Sequence, residues 1–400
     1  NNYTKLNNME KLLNDLKNDL NIDDPDEESF DTLLEGHENL EENNVNTYFK
    51  LPIYYNKDKK LLDKVLIDDL ELKDSVNNKS IYKNIFNNKN EYTKYENQII
   101  DQWTNYYTRD KKFISDNQKI IKNFLDSSKD VNETNNKLTK TVYDSWINLK
   151  NLKYFNEKYQ FMSWSIFEPL NNNSLFLTLL SYYNLSSPVY SLLFPVLMLI
   201  IPFFILRFQG KNITLTHYWS ILKVILSGNS FVQLFTNFNS SNLQNKIYML
   251  LSCIFYMIQI YQNVQCCIMF YENLRNIINF YENSKKYILF TKKRMESLLL
   301  NNLDSLTEFN KNLKIKYDVL SNIYNNLNQI IKPQSFIFQI NQIGYIMKTY
   351  YQLYHNKDYH ECLMYSFGFN SYYNNLLQIN NKIIDKKMNY CKFVSSKRNS

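Results

Sequence analysis

The sequence predicts an all-α, elongated protein built from long helices, with few or no strands. Three observations carry that expectation. Only five glycines and seven prolines punctuate 400 residues, which leaves few sites for tight turns. Apolar residues recur at alternating spacings of three and four over several long stretches, the helical period. Two runs, 169–206 and 247–271, contain no charged side chain, and each is long enough at about 1.5 Å per residue to form a continuous helix of membrane-spanning length.

The elements follow in order. Leu6, Met9, Leu13, Leu16 and Leu20 mark a short amphipathic helix inside an acidic arm, 1–46. Residues 1–45 hold 13 Asp/Glu and three Lys, a charge of −10 against +17 for the remainder. Such an arm suits a basic groove of its own chain, a basic partner, or a solubilising tail. A helical region is expected over 47–168, irregular and made of short helices as far as about Asn90. It becomes periodic from Glu91 to Leu125 (Ile99, Trp103, Tyr106, Phe113, Ile120, Phe124) and again from Leu138 to Phe161.

A very apolar helical hairpin is expected over 169–282. Its first arm centres on Val189–Leu206, VYSLLFPVLMLIIPFFIL. Ser187-Pro188 resembles a helix start and Gly210 a stop. Pro195 and Pro202 lie seven apart, a pair that membrane helices tolerate better than soluble ones because neighbouring groups satisfy the freed carbonyls. The second arm, Ile247–Tyr271, carries Gln259, Gln262, Asn263 and Gln265, which points to burial against protein or to pairing with the first arm in a membrane. Burial alone does not name the solvent, so a protein core and a bilayer both remain open for the hairpin.

From about Asn283 to Ile331 the spacing predicts one long lever-like helix within a segment 283–333, ended by Pro333. Its heptad seam is Leu303, Leu306, Asn310, Leu313, Tyr317, Leu320, Tyr324, Leu327 and Ile331, and a coiled-coil or antiparallel partner, including a second copy of the chain, is expected along it. A C-terminal segment, 334–400, reads as helices over Phe336–Tyr354 and Tyr359–Ile384.

The chemistry is sparse. No G-x-x-x-x-G-K-[ST] or G-x-G-x-x-G occurs, which excludes nucleotide binding by those loops. No catalytic residue is assigned, and no enzymatic activity or cofactor is expected of this chain. His355, Asp358, His360 and Cys362 are close in sequence, but their spacing spreads them over different helix faces, against a compact metal site. The five cysteines form no C-x-x-C and fit buried, reduced thiols in an intracellular setting. Lys285, Lys286, Lys292, Lys293 and Arg294, interleaved with Tyr281, Tyr287 and Phe290, form the one basic cluster. It suits a phosphate backbone, anionic head groups, or a plain solvated face. The chain begins without Met or a signal peptide and reads as a piece of something longer.

Two stretches, SSPVYSLLFPVLMLIIPFFILRFQG (Ser186–Gly210) and YSFGFNSYYNNLLQINNKI (Tyr365–Ile383), the latter leading into Met388–Phe393, resemble the region ahead of the ATPase domain in MutS-like proteins of giant viruses and some protists. The resemblance covers about 170–395. It implies a helical lever and core that couple a downstream ATPase, with its ATP and magnesium, to a clamp on DNA, the basic cluster touching phosphate. The nucleotide loop has no counterpart before Ser400, and Phe167-Glu168 lacks the spacer of a Phe-x-Glu mismatch wedge. Beside it stands a second reading, a membrane-anchored helical scaffold with Val189–Leu206 in the bilayer.

Overall fold

The computed structural model describes residues 43–75, 80–86, 94–123, 129–210, 214, 218–220, 242–301, 303–330 and 336–393. Residues 1–42 of the acidic arm, with its short helix, lie outside them, as do Ile331 and Pro333. The all-α class holds: 79% of the described residues are helical, and the described β-structure is one two-stranded ladder. The chain forms two compact units, one of 1–158, 278–339 and 348–400, the other of 159–277 and 340–347.

In the first unit the chain runs through helix α1 (Val45–Tyr48), a 3-10 turn (Pro52–Tyr55), strand β1 (Lys59–Leu61), α2 (Lys64–Asp69), α3 (Ile81–Phe86), α4 (Lys94–Trp103), β2 (Tyr106–Thr108), α5 (Lys111–Lys122), α6 (Lys129–Asn151) and α7 (Phe155–Lys158). The antiparallel pair β1–β2, with Lys60 opposite Tyr107, interrupts what periodicity alone reads as helix around Tyr106. A 3-10 turn (Glu168–Asn172) then leads to α8 (Ser174–Phe208), and α9 (Leu243–Leu299) follows. A 3-10 turn (Asp304–Leu306), α10 (Thr307–Asn328), α11 (Phe336–His355) and α12 (Lys357–Ile384) complete the chain.

Helix α12 is the centre of the first unit. Every residue from Cys362 to Tyr372 is buried, as expected of a helix enclosed on all sides, and α1, α3, α4, α5 and α10 pack around it. Gly368 admits α1: a Cβ there would stand 2.6 Å from Phe49 Cβ and 2.7 Å from Val45 Cγ1. Phe49 then meets Tyr365, Phe309 and Tyr372 with ring centroids 5.1, 6.4 and 6.0 Å away. Two glutamines one turn apart on α4 hold α1 in place. Val45 N donates to Gln98 Oε1 (2.9 Å), Leu51 N donates to Gln102 Oε1 (3.0 Å), and Gln102 Nε2 donates to the Phe49 carbonyl (2.8 Å).

The single lever expected over 283–331 is two helices. The chain leaves α9 at Leu299 and enters α10 at Thr307, and side chains rather than a glycine or proline make the break. Asn301 Nδ2 donates to the Ser297 carbonyl, Asn123 Nδ2 donates to Asn301 Oδ1, and Ser305 Oγ donates to Asp116 Oδ2. On α10 the leucines of the expected seam, Leu306, Leu313, Leu320 and Leu327, are buried. The accompanying positions are Phe309 and Ile323 rather than Asn310 and Tyr324, one residue earlier. That face packs on α12 of the same chain.

A longer seam runs along α9. Met249, Cys253, Tyr256, Ile260, Asn263, Cys267, Phe270, Leu274, Ile277, Tyr281, Ser284, Ile288, Thr291, Met295 and Leu298 alternate at four and three, and none is exposed. The same side of one helix is therefore covered over its whole length, on both sides of the point where charges begin at Glu272.

Candidate functional site

The feature that stands out chemically is the pair α8 and α9 in the second unit. Asn173 begins α8, its Oδ1 accepting from Leu175 N (2.9 Å) and Phe176 N (3.3 Å). The helix therefore starts thirteen residues before the Ser187-Pro188 signal and runs through Pro188, Pro195 and Pro202. It ends where Gly210 takes φ +77°.

A proline inside a helix strands the carbonyl four residues before it. Donors reach two of the stranded carbonyls. Ser187 Oγ donates to the Asn184 carbonyl (3.0 Å), freed by Pro188. Tyr256 Oη, from α9, donates to the Ser191 carbonyl (2.8 Å), freed by Pro195. The second bond crosses between the helices, so the tyrosine both repairs the backbone and joins the pair. Asn263 Nδ2 donates to Ser191 Oγ, and Cys267 Sγ donates to the Leu185 carbonyl (3.4 Å). Residues rising on α8 meet residues falling on α9, so the pairing is antiparallel. Sequence reasoning missed these partners; the signal for them was the carbonyl that each proline leaves open.

The base of the pair is closed by α11. Gly344 lies so near α8 that a Cβ would collide with the Ser174 carbonyl and Thr178 Oγ1 and come within 2.7 Å of Thr178 N. Leu177, Phe270, Leu274, Ile277, Ile343, Ile346 and Met347 are buried in this unit. Above that base many outer side chains are exposed. Leu192, Phe194, Ile200, Ile201, Phe204 and Ile205 on α8 and Ile247, Leu250, Ile254, Phe255, Met257 and Ile258 on α9 are exposed, Phe255 to 67%. Among the described residues α9 is long and apolar enough to cross a membrane by length and composition.

The five residues of the basic cluster are not brought together on one surface. Arg294 is 7% exposed, its Nη1 donating to Asn370 Oδ1 (2.9 Å) and its guanidinium between the rings of Phe290 and Tyr373 at 5.1 and 4.7 Å. Burial pulls its pKa down to about 10, and Nη2 has no hydrogen-bond partner. Asn370 Nδ2 also donates to Thr291 Oγ1 (2.8 Å) and Tyr287 Oη (3.2 Å), and Tyr287 Oη bonds Ser366 Oγ at 2.7 Å. Arg294 thus belongs to a polar layer between α9 and α12, out of reach of an external phosphate. Lys292 lies over Tyr317 and Tyr324 at 5.0 and 5.5 Å, and Lys285 Nζ donates to the Ile330 carbonyl (3.3 Å). Lys286 and Lys293 are exposed.

Of the residues considered for metal binding, His360 Nδ1 accepts from Trp146 Nε1 (3.1 Å), and the buried Cys362 donates to the Lys316 carbonyl (3.2 Å). Burial pushes the Cys362 thiol up to about 12. Among the described residues no group of three His, Cys, Asp or Glu could hold a metal ion. All five cysteines are free thiols. The chain matches no protein-family model, no curated protein and no solved structure.

Proposed function

We propose that this chain is a membrane-anchored helical scaffold, in which α8 and the first half of α9 cross a bilayer as an antiparallel hairpin that tethers the helical body. The observation that carries this is the exposed apolar surface of the pair. About a dozen large apolar side chains stand half out of the protein, each representing on the order of 1 kcal/mol of unrealised burial. Their sum rivals the whole stability of a typical domain, about 5–15 kcal/mol. Lipid removes that cost. Soluble monomers rarely keep an apolar patch of this extent in water.

Three further features support the reading. The charge-free stretch 247–271 of α9 extends about 37 Å at 1.5 Å per residue, enough for a hydrocarbon core of about 30 Å. The carbonyls freed by Pro188 and Pro195 have donors within the hairpin, as a medium without water requires. Of the four amides that counted against a lipid-facing helix, Asn263 turns toward Ser191, while Gln259 and Gln262 are exposed. Within the basic cluster only Lys286 and Lys293 are exposed, so the lever of a DNA-acting ATPase rests on sequence resemblance and not on this site.

Alkaline carbonate extraction of membranes from cells expressing the chain tests the proposal. The protein is expected to stay in the pellet. Quantitative release into the supernatant would remove the proposal.

A further inference from the structure

We propose a second contact with lipid, which rests on the membrane reading above: the turn Trp164–Phe167 is an anchor seated at the boundary between head groups and acyl chains of the same bilayer. Trp164 and Ile166 are 71% and 84% exposed, Phe167 is also exposed, and the Trp164 and Phe167 rings are 6.1 Å apart. Exposure alone would mean little. What distinguishes this turn is that its backbone is fixed from three sides while its apolar side chains point into solvent.

The first fixture is internal. Phe167 N and Glu168 N both donate to the Trp164 carbonyl, at 2.9 and 2.8 Å. The second is Asn171, fully buried, which closes the loop by accepting from Met162 N (3.0 Å) and donating to the Met162 carbonyl (2.9 Å). The third sets the level. Gln160 Nε2 donates to the Cys266 carbonyl on α9 (3.4 Å), six residues before the first charge, Glu272, or about 9 Å along the helix. At the other end Asn173 caps α8. The turn is therefore held between two points at the foot of the charge-free hairpin, where Leu175 and Leu179 of α8 are themselves exposed.

That level is where an indole is most favourably placed, with its ring against acyl carbons and its N–H among head groups. A pre-ordered loop loses little entropy on insertion. The occupant is lipid of a zwitterionic membrane: the turn itself carries no charge, and its exposed side chains Trp164, Ile166 and Phe167 are apolar like those of the hairpin to which Gln160 and Asn173 tie it.

The test uses the full chain reconstituted in phosphatidylcholine vesicles, with phosphatidylcholine brominated near the head of its acyl chains as quencher. Trp219, the other exposed tryptophan, is replaced first (W219F), and W164F is added to that background; Trp103 and Trp146 are common to both proteins. The expected result is a bromolipid-quenchable component in W219F that disappears in W219F/W164F, with a blue-shifted emission for the lost component. If the hairpin resists carbonate while quenching is the same with and without Trp164, the anchor is wrong and the membrane reading stands. If carbonate releases the protein, the membrane reading fails and the anchor falls with it.

Discussion

Replacing Gly368 by alanine measures how closely α1 is seated on the central helix. The added methyl would stand 2.6 Å from Phe49 Cβ, 2.7 Å from Val45 Cγ1 and 2.8 Å from Phe49 Cγ, where carbons in contact prefer about 3.5–4.0 Å. Helix α1 would have to withdraw by about 1 Å. It is not free to do so, because Gln98 and Gln102 hold Val45 N, Phe49 O and Leu51 N at 2.8–3.0 Å, and such a displacement takes those bonds beyond useful length. Overpacking costs about 1–3 kcal/mol and a weakened hydrogen bond about 1 kcal/mol. Removing a glycine from a helix returns about 1 kcal/mol. The net expectation is a loss of about 2 kcal/mol, read by urea unfolding in a mild detergent, following the near-ultraviolet circular dichroism of the aromatic core. A variant that is more stable by the helix-propensity gain alone would refute the packing of α1 on α12.

The other expectations follow from the same contacts. Tyr256→Phe removes the donor to the Ser191 carbonyl while keeping the ring. It should weaken the α8–α9 pairing by about 1 kcal/mol, seen as faster protease cleavage of the hairpin in detergent; unchanged cleavage would mean that the carbonyl needs no partner. Burial raises the pKa of Tyr287, Tyr365 and Tyr372, so the folded chain keeps protons that the unfolded chain gives up from about pH 10. Stability must therefore fall as pH rises past that point, which thermal melts between pH 8 and 11 would show as a declining midpoint, flat if the hydroxyls are solvated. For Asp116, burial favours the neutral acid, but hydrogen bonds from Lys119 and Ser305 outweigh it and lower the pKa. Its contribution is present above about pH 4, the ordinary carboxylate value, and is lost as pH falls through the lowered one. Asp116→Asn should flatten the acid limb of the same melts; an unaltered limb would contradict this.

Much of the helical pattern was legible because it is local. Asn356, with its side chain accepting from Tyr359 N, separates α11 from α12 where the sequence suggests a boundary. The misreadings have physical causes. Ser187-Pro188 carries the local signature of a helix start, yet Ser187 Oγ back-bonds within α8 and the helix continues. The join between α9 and α10 has no glycine or proline, since Asp116 and Asn123 on a distant helix define it. Lys59-Lys60-Leu61 has no strand pattern and becomes a strand only by pairing with Tyr106–Thr108.

The hairpin was visible as two charge-free runs, but its partners were not, because periodicity reports which face is covered and not which carbonyl needs a donor. The basic cluster misled for a related reason. Lysine and arginine read alike as charge, whereas Arg294 lies on α9 beside the seam residues Thr291 and Met295 and so enters the polar layer with Asn370. The seam from Met249 to Leu298 crosses the onset of charge at Glu272. Attention to charge divided at that point what the four-three spacing keeps as one helix.

The most direct measurement of what surrounds the hairpin is the collision rate of nitroxide labels placed on its exposed faces. Leu192→Cys and Ile254→Cys, in full-length protein with Cys266 and Cys391 replaced by serine and reconstituted in phosphatidylcholine, would be relaxed by oxygen and by a water-soluble nickel chelate in separate runs. If α8 and α9 cross the bilayer, oxygen dominates at both positions, while a label at Lys246 favours the chelate. Chelate-dominated relaxation at Leu192 and Ile254 would mean that these side chains face water, and the account of this chain as membrane-anchored would be contradicted.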